Sequence, residues 1–295
     1  MSALVPASVG PMNTRWDYLL IPSFVVSFLL LAASQITFLQ GSLHADLGLG
    51  RLATSASVNN YAMLLSDEFY VNALLLTVKV SAIATACTLL MGFPVAYVIA
   101  RMRSRWAMLM LAGVVVSSFV TIVIKVYGII VIFSADGGFN KLMMALGLLD
   151  RPYTIIGNQT GVVIGLMQFT MGFGVLLLYS VVRTIPVSLE EAATVHGAGR
   201  VRVFWRVILP LSLPGVIVGA LMIFNMCMGA FTSAALLGGG RVFTLPVLIQ
   251  RAVIIETKYG MGAALAAVLL VSVILINLIS VFLLKRLHAA RLVIA

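Results

Sequence analysis

The densest group of ionisable side chains in this 295-residue chain lies at 188–214, SLEEAATVHGAGRVRVFWRVILPLSLP, with Glu190, Glu191, Arg200, Arg202 and Arg206. Adjacent carboxylates followed by arginines suit recognition of a charged partner surface, and nowhere in the chain do they join a nucleophile and base in a catalytic constellation. His44, His196 and His288 fall in three different loops or tails with no partner at ligand spacing, so a metal site is not expected. Cys87 and Cys227 lie far apart inside apolar segments, where cysteine behaves as a small hydrophobe. No G-x-x-x-x-G-K-[ST] phosphate loop is present, and the glycine runs at 48–50 and 238–240 lack its lysine and following hydroxyl.

The elements that must position these groups follow from composition. The chain is 62% hydrophobic and 9% charged, with mean hydropathy +1.14, too little polar surface to cover a soluble globule. Apolar runs long enough to cross roughly 30 Å of hydrocarbon recur, which predicts an all-α membrane protein. The net charge of +10 then reads as an orientation signal rather than a nucleic-acid surface. Six spans are expected, at about 18–39, 72–100, 106–133, 160–182, 213–237 and 261–284. They form one membrane domain, 18–284, between an N-terminal tail, 1–17, and a C-terminal tail, 285–295. The first span is too long for a signal-peptide core and is read as retained.

Lys and Arg decide the sides. The tails and the loops at 101–105 and 183–212 hold eleven, against six in the loops at 40–71, 134–159 and 238–260. The first set is therefore expected in the cytoplasm, with both termini. Within the cytoplasmic loop 183–212, Ser188 and Glu191 have capping-box spacing and predict a short helix starting at Ser188, with stop signals at Gly197 and Gly199. Pro210 and Pro214 are expected to restrict the chain at the entry to span five.

Inside the spans, Lys79 and Lys125 are costly unless they snorkel or meet a polar cavity. Lys79 lies about 10 Å from the outer end of an inward-running span and points back toward the outer surface. Lys125, on an outward-running span, is tilted toward the bilayer middle and is the sharper candidate for a solute path. Asn225, Met228, Gly229 and Thr232 recur at steps of three and four, so they are expected on one helical face, with Gln168 of span four at comparable depth. That face serves either a cavity wall or interhelical hydrogen bonding. Gly161-x-x-x-Gly165 and Gly215-x-x-x-Gly219 predict close packing. The spans lack the well-buried Asp or Glu of proton relays, which weakens a secondary carrier as the alternative.

Glu191-Ala192-Ala193, three residues, Gly197, nine residues and Val207-Ile208-Leu209-Pro210 resemble the EAA loop of ABC importer permeases, with Val207 where the family usually has Ile. The resemblance implies a type I ABC importer permease fold in the bacterial inner membrane. The loop would be a coupling helix, Glu190 to Gly199, docked on a cytoplasmic ABC ATPase dimer that binds ATP and Mg. This chain would then carry no cofactor and no catalysis of its own. A second, homologous permease subunit and a periplasmic solute-binding protein are the further implied partners. Segments 72–101 and 235–250 resemble the spermidine/putrescine branch, in which a basic residue followed by an aromatic recurs near Lys125-Val126-Tyr127. Gly229-Ala230-Phe231 departs from that branch's Gly-Asp-Phe, leaving Asp136, Asp150 and Glu256 near the outer loops as carboxylates for a polycation. A polyamine-like solute, an amino-acid derivative and another small organic solute all remain open.

Overall fold

The computed structural model describes residues 17–292, with side chains placed over 21–282. The predicted tail 1–17 lies, but for Asp17, outside the described residues, as do 293–295. In chain order come α1 (Asp17–Ser42), a hairpin of β1 (His44–Gly48) and β2 (Arg51–Ala56), α2 (Asn59–Ser66), α3 (Glu68–Arg101), α4 (Arg105–Phe119), α5 (Ile122–Phe133) and α6 (Gly138–Ala145). Then follow α7 (Gln159–Arg183), α8 (Val187–Val195), α9 (Arg200–Val203), α10 (Leu209–Met228), α11 (Thr232–Gly238), α12 (Leu245–Gln250) and α13 (Tyr259–Leu292). Among the described residues six segments are long and apolar enough to cross a membrane: 21–42, 68–101, 122–145, 159–183, 200–228 and 259–282.

Hydropathy located these six, but in four places the helices break, start or end elsewhere than expected. Span three is not one helix: Val120 and Thr121 turn extended and separate α4 from α5. Three successive β-branched residues, Val120 to Ile122, favour such a break because each loses side-chain freedom against the preceding helical turn. Span five does not begin near Leu213. A π turn, Phe204–Ile208, joins α9 to α10 in one helix from Arg200, with the Leu209 amide donating to the Phe204 carbonyl. The widened turn before Pro210 accommodates a residue that lacks the donor and crowds the preceding turn of a regular helix. At its other end α10 stops at Met228, and Gly229 to Phe231 precede α11. The predicted C-terminal tail starts inside a helix, since α13 continues to Leu292.

Among the described residues the architecture is helical apart from the antiparallel β1–β2 hairpin, which lies in the stretch read from sequence as the loop 40–71. The hairpin performs a local task. Asp46 accepts from the Gly260 and Met261 amides, each at 2.8 Å, and so supplies the start of α13 with the acceptor and negative charge that helix ends favour. Gly260 is required there because a Cβ would collide with the His44 carbonyl. Asp46→Ala should lower stability by about 1–2 kcal/mol, and Asp46→Asn by less, both read from thermal unfolding in detergent.

The core is built on α3, which packs along α7 and α10. Towards one end Phe93, Ala96, Leu178, Val182, Val203 and Ile208 are buried together. At mid-depth Val80, Ala84, Leu166, Ile223 and Cys227 form a second cluster. Both predicted glycine pairs are close contacts: Gly165 faces Leu237 and Ser233, Gly215 lies against Val181, and Gly219 against Leu177. α1 packs against α13 with its side chains largely exposed, a surface suited to lipid.

Candidate coupling surface and membrane path

Ile185, buried at the end of α7, anchors the turn into α8. α8 begins at Val187 with Pro186 as its N-cap, so Ser188 sits inside the first turn and the predicted capping box is absent. The acidic pair has been divided between two tasks. Glu190 turns back to α3: Tyr97 Oη donates to Oε2 at 3.0 Å, and Arg101 Nε donates to Oε1 in an ion pair whose side chains are each 14% exposed. Arg101 Nη2 also donates to the Ile185 carbonyl at 2.9 Å. Glu191 faces outward, 66% exposed, with Arg103 at 3.7 Å and 88% exposed, a pair that contributes little by itself.

The helix ends as its glycine predicts. Gly197 has φ +80°, its amide donates to Thr194, and the Ala198 amide donates to Ala193 at 3.1 Å. This is a Schellman turn. Ala193 and Ala198 pack against the same core cluster, while Ala192 stays exposed, leaving a low profile where another surface can approach. The chain then enters α9 and the π turn that follows, where Val203 and Ile208 are buried and the Phe204 ring meets Phe93 and Tyr97 at 5.5 and 5.3 Å. The fixed spacing from Gly197 to Leu209-Pro210 is thus the length needed to turn, seat Val203 to Ile208 on α3 and α7, and continue as α10. Leu209 is half-buried against that cluster and Pro210 is exposed. Beneath α8 opens a cleft of about 880 Å³ lined by Tyr97, Arg101, Arg103, Arg183, Glu190, Glu191, Thr194 and Arg200.

The residues named for a solute path are spread over α5, α7, α10 and α11. Because α10 ends at Met228 and Thr232 begins α11, Asn225, Met228, Gly229 and Thr232 do not form the single helical face expected of them. Met228 is fully buried. Asn225 and Asn277 of α13 exchange amide hydrogen bonds at 3.2 and 2.9 Å, which is the interhelical alternative. Gln168 lines a separate, mostly apolar cleft of about 530 Å³ between α3, α4 and α7, bounded by Met91, Met110, Ser117 and Met171. Its Oε1 is buried there without a partner. Lys125 is half-buried on α5 and Tyr127 is exposed. Lys79 is exposed and donates to Gln159 Oε1 at 3.4 Å, consistent with the outward pointing expected of it.

Three partners were not picked out from sequence: Arg101 and Tyr97 for Glu190, and Asn277 for Asn225. The signals existed. Arg101 ends span two on the side assigned to the 183–212 loop, and Asn277 is a lone amide in a long apolar run. At the opposite end, Glu256 is held by Lys258 at 2.9 Å and Arg251 at 3.0 Å. The Lys258 hydrogen bond, with Arg251 adding to it, keeps the Glu256 carboxyl below its ordinary range and raises Lys258. That carboxylate is already neutralised locally. Among the described residues no three His, Cys, Asp or Glu side chains converge to hold a metal ion.

The described residues thus form a six-span helical bundle with a short helix, α8, braced against one end. Solved structures carry the same fold. A chain of a bacterial ABC transporter involved in the import of the acidic polysaccharide alginate superposes with TM-score 0.77 at 19% identity, covering 92% of this chain and 97% of that one. A chain of the MetNI methionine ABC transporter in an inward-facing conformation gives 0.59 at 17%, covering 73% and 94%. The family model for the binding-protein-dependent transport system inner membrane component matches residues 89–290, and the chain belongs to that family. Among its relatives, the spermidine/putrescine transport system permease protein PotB of Haemophilus influenzae is 32% identical over 71% of this chain and 73% of its own length. PotB of Escherichia coli (strain K12) is 31% identical, over 70% and 75%. The molybdenum transport system permease protein ModB of Mycobacterium bovis is 27% identical, over 70% and 77%. The chain is therefore a multi-pass permease of the bacterial inner membrane.

Proposed function

We infer that this permease moves a small organic solute, polyamine-like or a related compound, delivered by a periplasmic binding protein and driven by ATP hydrolysis on a separate cytoplasmic ABC ATPase dimer. α8 is the ATPase-docking element, through Glu191, Ala192, Ala193 and Gly197, with both chain termini on the same cytoplasmic side. A second, homologous permease completes the membrane unit as a heterodimer. ATP and Mg belong to the ATPase, and this chain is a translocation subunit without catalysis of its own. The observation that carries the reading is the braced α8 with its fixed spacing to Leu209-Pro210, in a chain about a third identical to spermidine/putrescine permeases.

An amino-acid derivative is the second reading. It is favoured by Ala230 in place of the acidic residue of the polyamine branch and by the neutralised Glu256. Proteoliposomes holding the complete importer decide between them: uptake of labelled spermidine or putrescine, abolished without ATP or binding protein, is expected. Uptake confined to an amino-acid derivative would overturn the polyamine assignment. ATP-independent flux through this chain alone would overturn the importer reading.

Lys125, Tyr127, Gln168 and Thr232 remain the path proposed for the solute, with Lys125 the most exacting. Lys125 is half-buried on α5, a span that runs outward and tilts its side chain toward the bilayer middle, whereas Lys79 donates to Gln159. Lys125→Met should therefore reduce uptake more than Lys79→Met at equal membrane abundance. Equal or reversed losses in labelled-solute uptake would remove Lys125 from the path.

A further inference from the structure

We propose that the Glu190–Arg101 ion pair, with Tyr97, is a positioning device that makes α8 and α3 move as one body, so that displacement of the docking helix reaches the membrane core. The proposal rests on the reading of α8 as the docking element.

α8 is joined to the bundle covalently at two points. One is the Ile185-Pro186 turn; the other is the Gly197–Gly199 segment, where Gly197 holds φ +80°. A helix held only by turns and apolar packing can still slip against what lies behind it. Glu190 removes that freedom by bonding α3 through both carboxylate oxygens, one to Arg101 and one to Tyr97. These anchors stand four positions apart, one turn of α3, so they resist rotation of the carboxylate as well as translation. Arg101 is itself fixed to the α7–α8 turn through the Ile185 carbonyl. The pair is only 14% exposed on each side, so water and salt screen it far less than the exposed Glu191–Arg103 contact.

What α8 is tied to matters equally. α3 is the longest helix of the central packing, runs from Glu68 to Arg101, and lies along both α7 and α10. Near its far end Thr77 Oγ1 accepts from the Leu245 amide at 2.8 Å, holding the start of α12. A shift of α3 therefore acts on the far side of the bundle as well. Thr88 and Thr170, 3.0 Å apart and buried, couple α3 to α7 midway. The acidic pair thus divides between partner and self: Glu191 is presented outward, and Glu190 converts what happens at α8 into motion of α3.

The test compares uptake per ATP hydrolysed in the fully reconstituted importer. Glu190→Arg and Arg101→Glu should each lower that ratio about tenfold or more, since each leaves an opposed or uncompensated charge at a part-buried site. Tyr97→Phe, which keeps the ion pair, should lower it less. ATPase association, read by co-purification, should persist in all three. The double swap, Glu190→Arg with Arg101→Glu, should recover much of the ratio. A merely structural role would instead reduce protein yield, hydrolysis and uptake in proportion and leave the ratio unchanged, and that result, or a double swap without recovery, overturns the proposal. An unaltered chain that fails to bind an ATPase at all would overturn the docking reading instead, so the two failures are separable.

Discussion

Gly161→Ala leaves little folded protein. A Cβ at this position would overlap the Ile155 carbonyl oxygen and stand 3.0 Å from its carbon, and both are backbone atoms of a turn with little freedom to retreat. Ile155 is buried with Val126 and Leu237. The Gly157 amide is bonded to the Leu237 carbonyl at 2.7 Å, and Asn158 caps α7 by accepting from the Gly161 amide at 3.0 Å. Admitting one methyl therefore requires moving the turn, the cap and the α11 contact together. The expected cost is about 3 kcal/mol or more, at the upper end of overpacking penalties. Yield of monodisperse protein after detergent extraction and the midpoint of thermal unfolding check it. Gly229→Ala is the comparison: its Cβ would meet only the Asn225 carbonyl oxygen, at 3.8 Å, and it should stay within about 0.5 kcal/mol of the unaltered chain. A Gly161→Ala protein as stable as Gly229→Ala would show that the turn yields freely.

The contrast between these glycines bears on what a sequence can tell. Gly161 and Gly165 are legible as a packing pair because four-residue spacing places them on one helical face, whatever they touch. The six-span count is legible for a similar reason: hydrocarbon thickness imposes a length that composition reveals directly. The docking loop was legible through its spacing, whose physical basis is the Schellman turn at Gly197 followed by the seating of Val203 and Ile208. What failed depended on partners distant in sequence. Ser188 and Glu191 have the local pattern of a capping box, yet the helix starts one residue earlier and Glu190 is engaged by Arg101, 89 residues away. The breaks at Val120-Thr121 and Gly229–Phe231 were invisible to hydropathy because the residues there are as apolar as their neighbours. The face expected of Asn225, Met228, Gly229 and Thr232 failed with the second break, since helical spacing means nothing across a non-helical residue. The hairpin was hidden by its short, mixed-polarity strands, and Asp46 gave no hint that its acceptors serve α13, more than two hundred residues on.

Gly197→Val should abolish uptake while leaving the bundle intact. Gly197 is at φ +80°, and a methyl group at its Cβ position would find no atom within 4 Å, so the penalty of substitution comes from backbone conformation alone. A β-branched residue is strained in the left-handed region, at a cost of about 1–3 kcal/mol. The chain avoids that strain by leaving the region, and the Schellman bonds from Gly197 and Ala198 to Thr194 and Ala193 break with it. α8 then loses its fixed angle to α9, while the six spans, which share none of those bonds, keep theirs. Folded yield and thermal midpoint should accordingly be near normal, and ATPase association and uptake should fall together. A graded series of side chains gives the sharpest test. Asn tolerates the left-handed region better than Ala, and Ala better than Val, so uptake should decline in the order Gly, Asn, Ala, Val. Gly199→Ala should be close to neutral, because Gly199 has φ −69° and no near neighbour. If Val at 197 transported as well as Asn, the angle between α8 and α9 would have no part in coupling. A loss confined to uptake, with ATPase association unchanged, would place the effect of Gly197 in transmission rather than docking.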